Sequence, residues 1–181
     1  GGELFIQKKK GSISGWIGYT LSWTNRKFEN LNFGNWYPYK YDRRHDLSIV
    51  FSHKFNEKHD VGFTWVYGTG NAITFPQSVY FGQPYSYDWY EGTFIDLVES
   101  YEERNSTRMP AYHRLDLGYN MHKFSKRNKW KSTLSVGAYN IYNRQNPFFI
   151  YLDIEEKTGN RVANQVSLFP IIPSISYRIQ F

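Results

Sequence analysis

Histidines, paired carboxylates and hydroxyl residues are where chemistry would be sought in this chain of 181 residues. His45, His53, His59, His113 and His122 never fall into an HxH or HxxxH spacing, and no cysteine is present to join them. Local pairs of that kind build most zinc sites, so no metal and no cofactor are implied. The lack of cysteine also removes disulfides and thiolate nucleophiles. Adjacent carboxylates occur at Glu102-Glu103 and Glu155-Glu156. In a strand, neighbours point to opposite faces, which makes them poor acid/base pairs. No GxSxG, SxxK, HExxH or phosphate-loop sequence occurs, and the expectation is a protein that is not an enzyme.

Recognition is better represented. The stretch 69–111 carries Phe75, Tyr80, Phe81, Tyr85, Tyr87, Trp89, Tyr90, Phe94 and Tyr101, with the acids Asp96, Glu99, Glu102 and Glu103. Aromatic faces stack on sugar rings or apolar ligands, and carboxylates accept hydrogen bonds from hydroxyls or hold cations. A second stretch, 24–43, holds Phe28, Phe33, Trp36, Tyr37 and Tyr39 among Arg26, Lys27 and Lys40. Trp36, Tyr37, Tyr80, Tyr85, Tyr87, Trp89 and Tyr90 are therefore candidate ligand contacts; the competing reading of each is packing within its own loop. The net charge is +6, but basic residues are scattered (Lys8 to Lys10, Arg43 and Arg44, Lys126, Arg127, Lys129, Lys131) with no run of five or six. Nucleic acid is not an expected partner, because no concentrated phosphate-binding stripe is visible.

The elements that must hold these loops alternate with period two. Ile171, Pro173, Ile175, Tyr177, Ile179 and Phe181 fall on one face of the last segment, opposite Ser174, Ser176, Arg178 and Gln180. The same alternation predicts strands over 113–122, 46–55, 60–68 and 15–23, more noisily over 130–142, and weakly over 3–10. Aromatic residues make up 20% of the chain while mean hydropathy is −0.63, a combination that disfavours disorder and helical bundles. Short turns at Lys10-Gly11-Ser12, Asn56-Glu57-Lys58 and Ser125-Lys126-Arg127-Asn128 alternate with long connections at about 24–43, 69–111 and 143–170. In an up-and-down sheet this sorts all short turns to one end and all long loops to the other. Outer-membrane barrels are built that way, with a polar lumen and an apolar exterior. The expectation is thus an all-β, antiparallel up-and-down transmembrane β-barrel segment.

Several stretches resemble TonB-dependent outer-membrane receptors. Gly15-Trp16-Ile17-Gly18-Tyr19-Thr20-Leu21-Ser22, Tyr41-Asp42-Arg43-Arg44-His45-Asp46-Leu47 and Arg114-Leu115-Asp116-Leu117 look like barrel strands of that family. Tyr139-Asn140-Ile141-Tyr142-Asn143 with Asn146-Pro147 is similar to its penultimate strand and exit loop. The aromatic terminus Tyr177-Arg178-Ile179-Gln180-Phe181 looks like the signal read by the barrel-assembly machinery. The resemblance spans residues 1–181 and implies the last seven or so strands of a barrel of about 22 strands with a plugged lumen. It implies a fragment or split gene product, with the plug domain and N-terminal strands lying elsewhere. The start at Gly1-Gly2-Glu3, without an initiator Met, fits that expectation.

The same resemblance implies localisation in the cell outer membrane and, for the whole receptor, ligand binding at the cell surface followed by TonB-coupled import. Its partners would be the rest of the barrel, the plug, the TonB complex through the missing N-terminal part, the barrel-assembly machinery and outer-membrane lipid. Asp46, Arg114, Asp116, Asn120 and Arg178 would face the lumen and plug; Tyr177, Ile179 and Phe181 would carry the assembly signal. Asp46→Asn or Arg114→Ala would then alter transport more than folding. Two alternatives stand beside this reading. A small self-contained barrel for ligand binding or adhesion, without energy coupling, would have to close within the chain. A secreted carbohydrate-active enzyme lacks a credible acid/base pair.

Overall fold

The computed structural model describes every residue except 83–84, 87–92, 95–96, 126–129 and 156. Seven strands form one antiparallel sheet: β1 (Gly2–Lys8), β2 (Ile13–Leu21), β3 (His45–Lys54), β4 (His59–Gly68), β5 (Tyr112–Phe124), β6 (Lys131–Tyr139) and β7 (Ile172–Gln180). Each pairs with its neighbours in sequence, so the sheet is a meander with β1 and β7 as its open edges. No helix among the described residues is long and apolar enough to cross a membrane, which says nothing about crossing by strands.

The predicted strands are all present, with shifted ends. Residues 130–142 stop being a strand at Tyr139 because Asn140 enters the left-handed region at φ 53°, a conformation asparagine tolerates better than most residues. The weak candidate over 3–10 is a full edge strand paired along its length with β2. Ile172, out of phase in the sequence, belongs to β7 and stands opposite Tyr139 on the polar face. The first turn is made by Gly11 at φ 100°, and the second by Asn56, whose Oδ1 accepts the Lys58 N–H at 2.8 Å.

Register assigns every strand residue to a face, because directly paired residues share one. One face is apolar across all seven strands. Its central rows run Ile6–Ile17–Ile49–Trp65–Leu115 and Phe51–Phe63–Leu117–Ala138–Pro173. No Asp, Glu or Arg of these strands lies on it. Its borders carry imidazole–phenol pairs: Tyr19 with His45 and Tyr119 with His59, each joining hydroxyl to Nδ1 at 2.8 Å. His113 joins Tyr142 in the same way at 2.8 Å. Burial pushes the Tyr142 hydroxyl above the usual phenol range.

The chain divides into two compact units. The first holds the seven strands and a hairpin, Pro147–Ile154 with Arg161–Ser167, inside the last long connection. The second comprises Trp23–Asp42 and Asn71–Arg108, with short ladders joining Asn25–Arg26 to Tyr37–Pro38, Ala72–Ile73 to Thr107–Arg108, and Ser78–Phe81 to Leu97–Ser100. These hairpins had no period-two signal strong enough to predict them.

Candidate functional site

The other face of the sheet carries the charged residues, with Phe5, Trp16, Val50, Val66 and Phe124 among them, and one row across it is stripped of bulk. Directly paired residues Ser14, Ser52, Gly62, Gly118, Gly137 and Ser174 form a row of serine and glycine across six strands. Glycine is required at position 137, where a Cβ would come 2.8 Å from the Leu117 carbonyl oxygen and 3.4 Å from Gly118 Cα. Ser52, Gly62, Gly118, Gly137 and Ser174 of this row floor a concavity of about 520 Å³ also bounded by Asp116, Asn120, Thr64 and Ser135.

Two polar networks flank that floor. On the long-connection side, Asp116 accepts Arg114 Nε–H at 3.0 Å and the Asn140 N–H at 2.9 Å. The Arg114 guanidinium donates to the hydroxyls of Tyr112 and Tyr139, at 3.0 and 2.7 Å, and lies 4.0 Å from the Tyr139 ring centre. Asn140, fully buried, donates to the carbonyls of Arg144 and Phe169 and accepts the Arg144 N–H. The Tyr-Asn-Ile-Tyr-Asn stretch singled out in the sequence is therefore the turn that ends β6, and Asp116 ties that turn to β5.

On the short-turn side, Asp60 accepts Asn120 Nδ2–H at 2.7 Å and meets His122 Nε2 at 2.5 Å. His122 Nδ1 faces the Thr133 hydroxyl at 2.9 Å. Hydroxyl, imidazole and carboxylate stand in the order of a hydrolase relay. Thr133, however, sits inside β6 between two paired strands, so the nearby backbone N–H groups that would stabilise an oxyanion are already bonded in the ladders. The network joins β4, β5 and β6 across the sheet. Among the described residues no three His, Asp or Glu side chains converge to hold a metal.

Asp46, Arg114, Asp116, Asn120 and Arg178 all lie on this polar face, and Tyr177 and Ile179 on the apolar one. Arg114, Asp116 and Asn120 are held in the two networks, whereas Asp46 makes a 3.4 Å contact with Arg43 and is half exposed. Tyr177, Ile179 and Phe181 are exposed along or beyond the edge strand β7.

Within the second unit the aromatic candidates separate by exposure. Tyr37 is 5% exposed, with the Arg104 guanidinium 5.6 Å from its ring centre, so it is packed inside its unit. Trp36 and Tyr80 are open to solvent at 65% and 56%. Tyr87, Trp89 and Tyr90 lie outside the described residues, as does the side chain of Tyr85. Phe33, one of the 24–43 aromatics, is 91% exposed and held at φ 55° in a single 3₁₀ turn. A bulky residue in that backbone region costs energy, and sequence alone gave no sign of it. The unit is braced by Asp42, whose buried carboxylate accepts the Thr24 N–H at 2.6 Å and pairs with Arg108. Asn105 adds a bond from Nδ2 to the Pro38 carbonyl at 2.8 Å.

No family model, no curated protein and no solved structure matches this chain.

Proposed function

We propose that the chain is the C-terminal barrel segment of a TonB-dependent outer-membrane receptor, and that the intact protein captures a ligand at the cell surface and imports it by TonB-coupled transport. The observation that carries this reading is the pairing of one largely apolar face, without Asp, Glu or Arg, with an opposite glycine-floored face that bears the charged residues, on a meander whose short turns share one end. An apolar sheet face with Ile17, Leu117, Val136, Ile175 and Tyr177 exposed suits hydrocarbon, which covers the outside of a membrane barrel. Five strands of nine or ten residues and one of 13 suit a bilayer crossing. The Gly/Ser-floored concavity suits a lumen that receives a folded plug, and exposed Phe33, Trp36 and Tyr80 suit ligand capture. The open edges β1 and β7 favour continuation into a larger barrel over a small closed one.

Because the chain has no cysteine, single-cysteine variants test this cleanly. In outer membranes, Ser48→Cys on the polar face should react with a hydrophilic maleimide, and Ile49→Cys should react only with a lipophilic one. Equal labelling of both would refute the membrane reading. Comparing the growth medium of cells with and without the protein should show a solute whose depletion stops when TonB is deleted. Depletion that persists without TonB would favour the uncoupled barrel.

A further inference from the structure

We infer that the short-turn end of the sheet is a binding surface for anionic phospholipid headgroups, an inference that rests on the apolar face being lipid-facing. The meander gathers there what the sequence scatters. Lys8, Lys9 and Lys10 lie at the first turn, Lys54 and Lys58 at the second, and Lys123 and Lys131 flank the third. Lys126, Arg127 and Lys129 of that third turn lie outside the described residues. Against these stand two acids, and one of them, Asp60, is already held by His122 and Asn120. None of the seven lysines forms an ion pair with a described carboxylate, though Lys131 is within electrostatic reach of Asp60 and lies 5.4 Å from the Phe124 ring centre.

Placement identifies the partner. Register puts Lys8 and Lys123 on the apolar face, two residues beyond Ile6 and Met121 along their strands, and Lys54 and Lys131 on the polar face, where Lys54 stands opposite Asp60. Near Lys123 stands the Tyr119–His59 pair, and at the second turn exposed Phe55, the amphipathic residues of a membrane border. A phospholipid supplies both halves of the match in one molecule: acyl chain against the apolar rows and phosphate against the ammonium groups. Lysine is suited to this, since a mobile point charge needs no fixed geometry from a fluid partner. An acidic protein or polymer would meet the charge and leave the adjoining apolar rows bare.

The test uses the full-length protein in nanodiscs of phosphatidylethanolamine, with or without a quarter of phosphatidylglycerol, and counts retained lipids by native mass spectrometry. Phosphatidylglycerol should be enriched around the wild-type protein, and the enrichment should fade as salt rises from about 0.1 to 1 M, where screening shortens from roughly 10 to 3 Å. Each lysine near an acidic surface multiplies affinity roughly five-fold. Lys8→Gln, Lys9→Gln and Lys10→Gln together should therefore weaken retention about a hundredfold. The control Lys27→Gln, Lys40→Gln and Lys157→Gln removes equal charge from the long connections and should change nothing. Equal loss in both triples, or no preference for the acidic lipid, overturns the inference while the protein remains inserted. Failure to insert, read by Ile49→Cys labelling, refutes the membrane reading instead. Tighter binding to polyaspartate than to acidic lipid overturns the lipid assignment in favour of an acidic macromolecule.

Discussion

The short turns and the long connections use positive charge in opposite ways. Around the described short turns the cations are mostly lysines, exposed apart from Lys131 beside Phe124 and Asp60, and without an ion pair to a described carboxylate. In and beside the long connections they are mostly arginines with fixed partners: Arg108 on Asp42, Arg43 on Asp46, Arg114 on Asp116 and Arg26 stacked 3.7 Å over Tyr39. Guanidinium is planar and forked, so it crosslinks loops that have no continuous ladder of their own, while ammonium groups on tight turns have nothing to hold together. Charge is structural at one end and available for partners at the other.

Substitutions can break or sharpen that contrast. The largest effect should come from Asp42→Ala, which leaves Arg108 without its buried partner. We expect about 3 kcal/mol, the low end for a broken buried pair because Arg108 is a third exposed. The check is hydrogen exchange over 23–42 and 71–108, and exchange as slow as in the wild type would remove the claim that arginine holds this unit.

Next is Leu117→Arg, mid-strand on the apolar face, expected to cost ~2–4 kcal/mol of barrel stability in a bilayer. Ser176→Arg on the polar face of the edge strand should stay within ~0.5 kcal/mol. Similar folding midpoints for the two in lipid would erase the difference between faces. Asn140→Ala strips partners from the Arg144 N–H and the Phe169 carbonyl, and should cost ~1–3 kcal/mol, seen as a lowered denaturation midpoint. Given the four hydrogen bonds and ion contacts that Arg114 makes, Arg114→Ala should also lower stability, beyond any effect on transport.

Tyr142 gives a smaller, pH-dependent effect. Its folded hydroxyl titrates above the unfolded one because burial disfavours the phenolate. Its contribution is therefore complete below the unfolded value near pH 10 and is lost as pH rises through the folded value. Tyr142→Phe should flatten that part of the stability–pH curve. Smallest of all, each of Lys8→Gln, Lys9→Gln and Lys10→Gln should move stability by less than ~0.5 kcal/mol, measured by thermal melting; a larger loss would make these lysines structural after all.

The seven strands were legible because period-two alternation survives any register. The ladders inside 69–111 and 147–167 were not, since their residues alternate poorly and pair only with a segment many residues away. Of the site, the polar identity of Arg114, Asp116 and Asn120 could be read from alternation. The glycine–serine row could not, because its members come from six separate strands. Phe33 and Tyr37 differ little as sequence, yet one is bare and the other buried; only backbone conformation and an arginine 67 positions away separate them.

By itself, then, the sequence determined that the chain is a β meander with two chemically opposed faces and sorted turns, because side-chain alternation and turn residues act locally. Register and topology decided the rest: which polar residues share a network, which aromatics remain open, and that lysines scattered along 181 residues meet at one end of a sheet. Those properties depend on distances between strands, which a linear spacing does not encode.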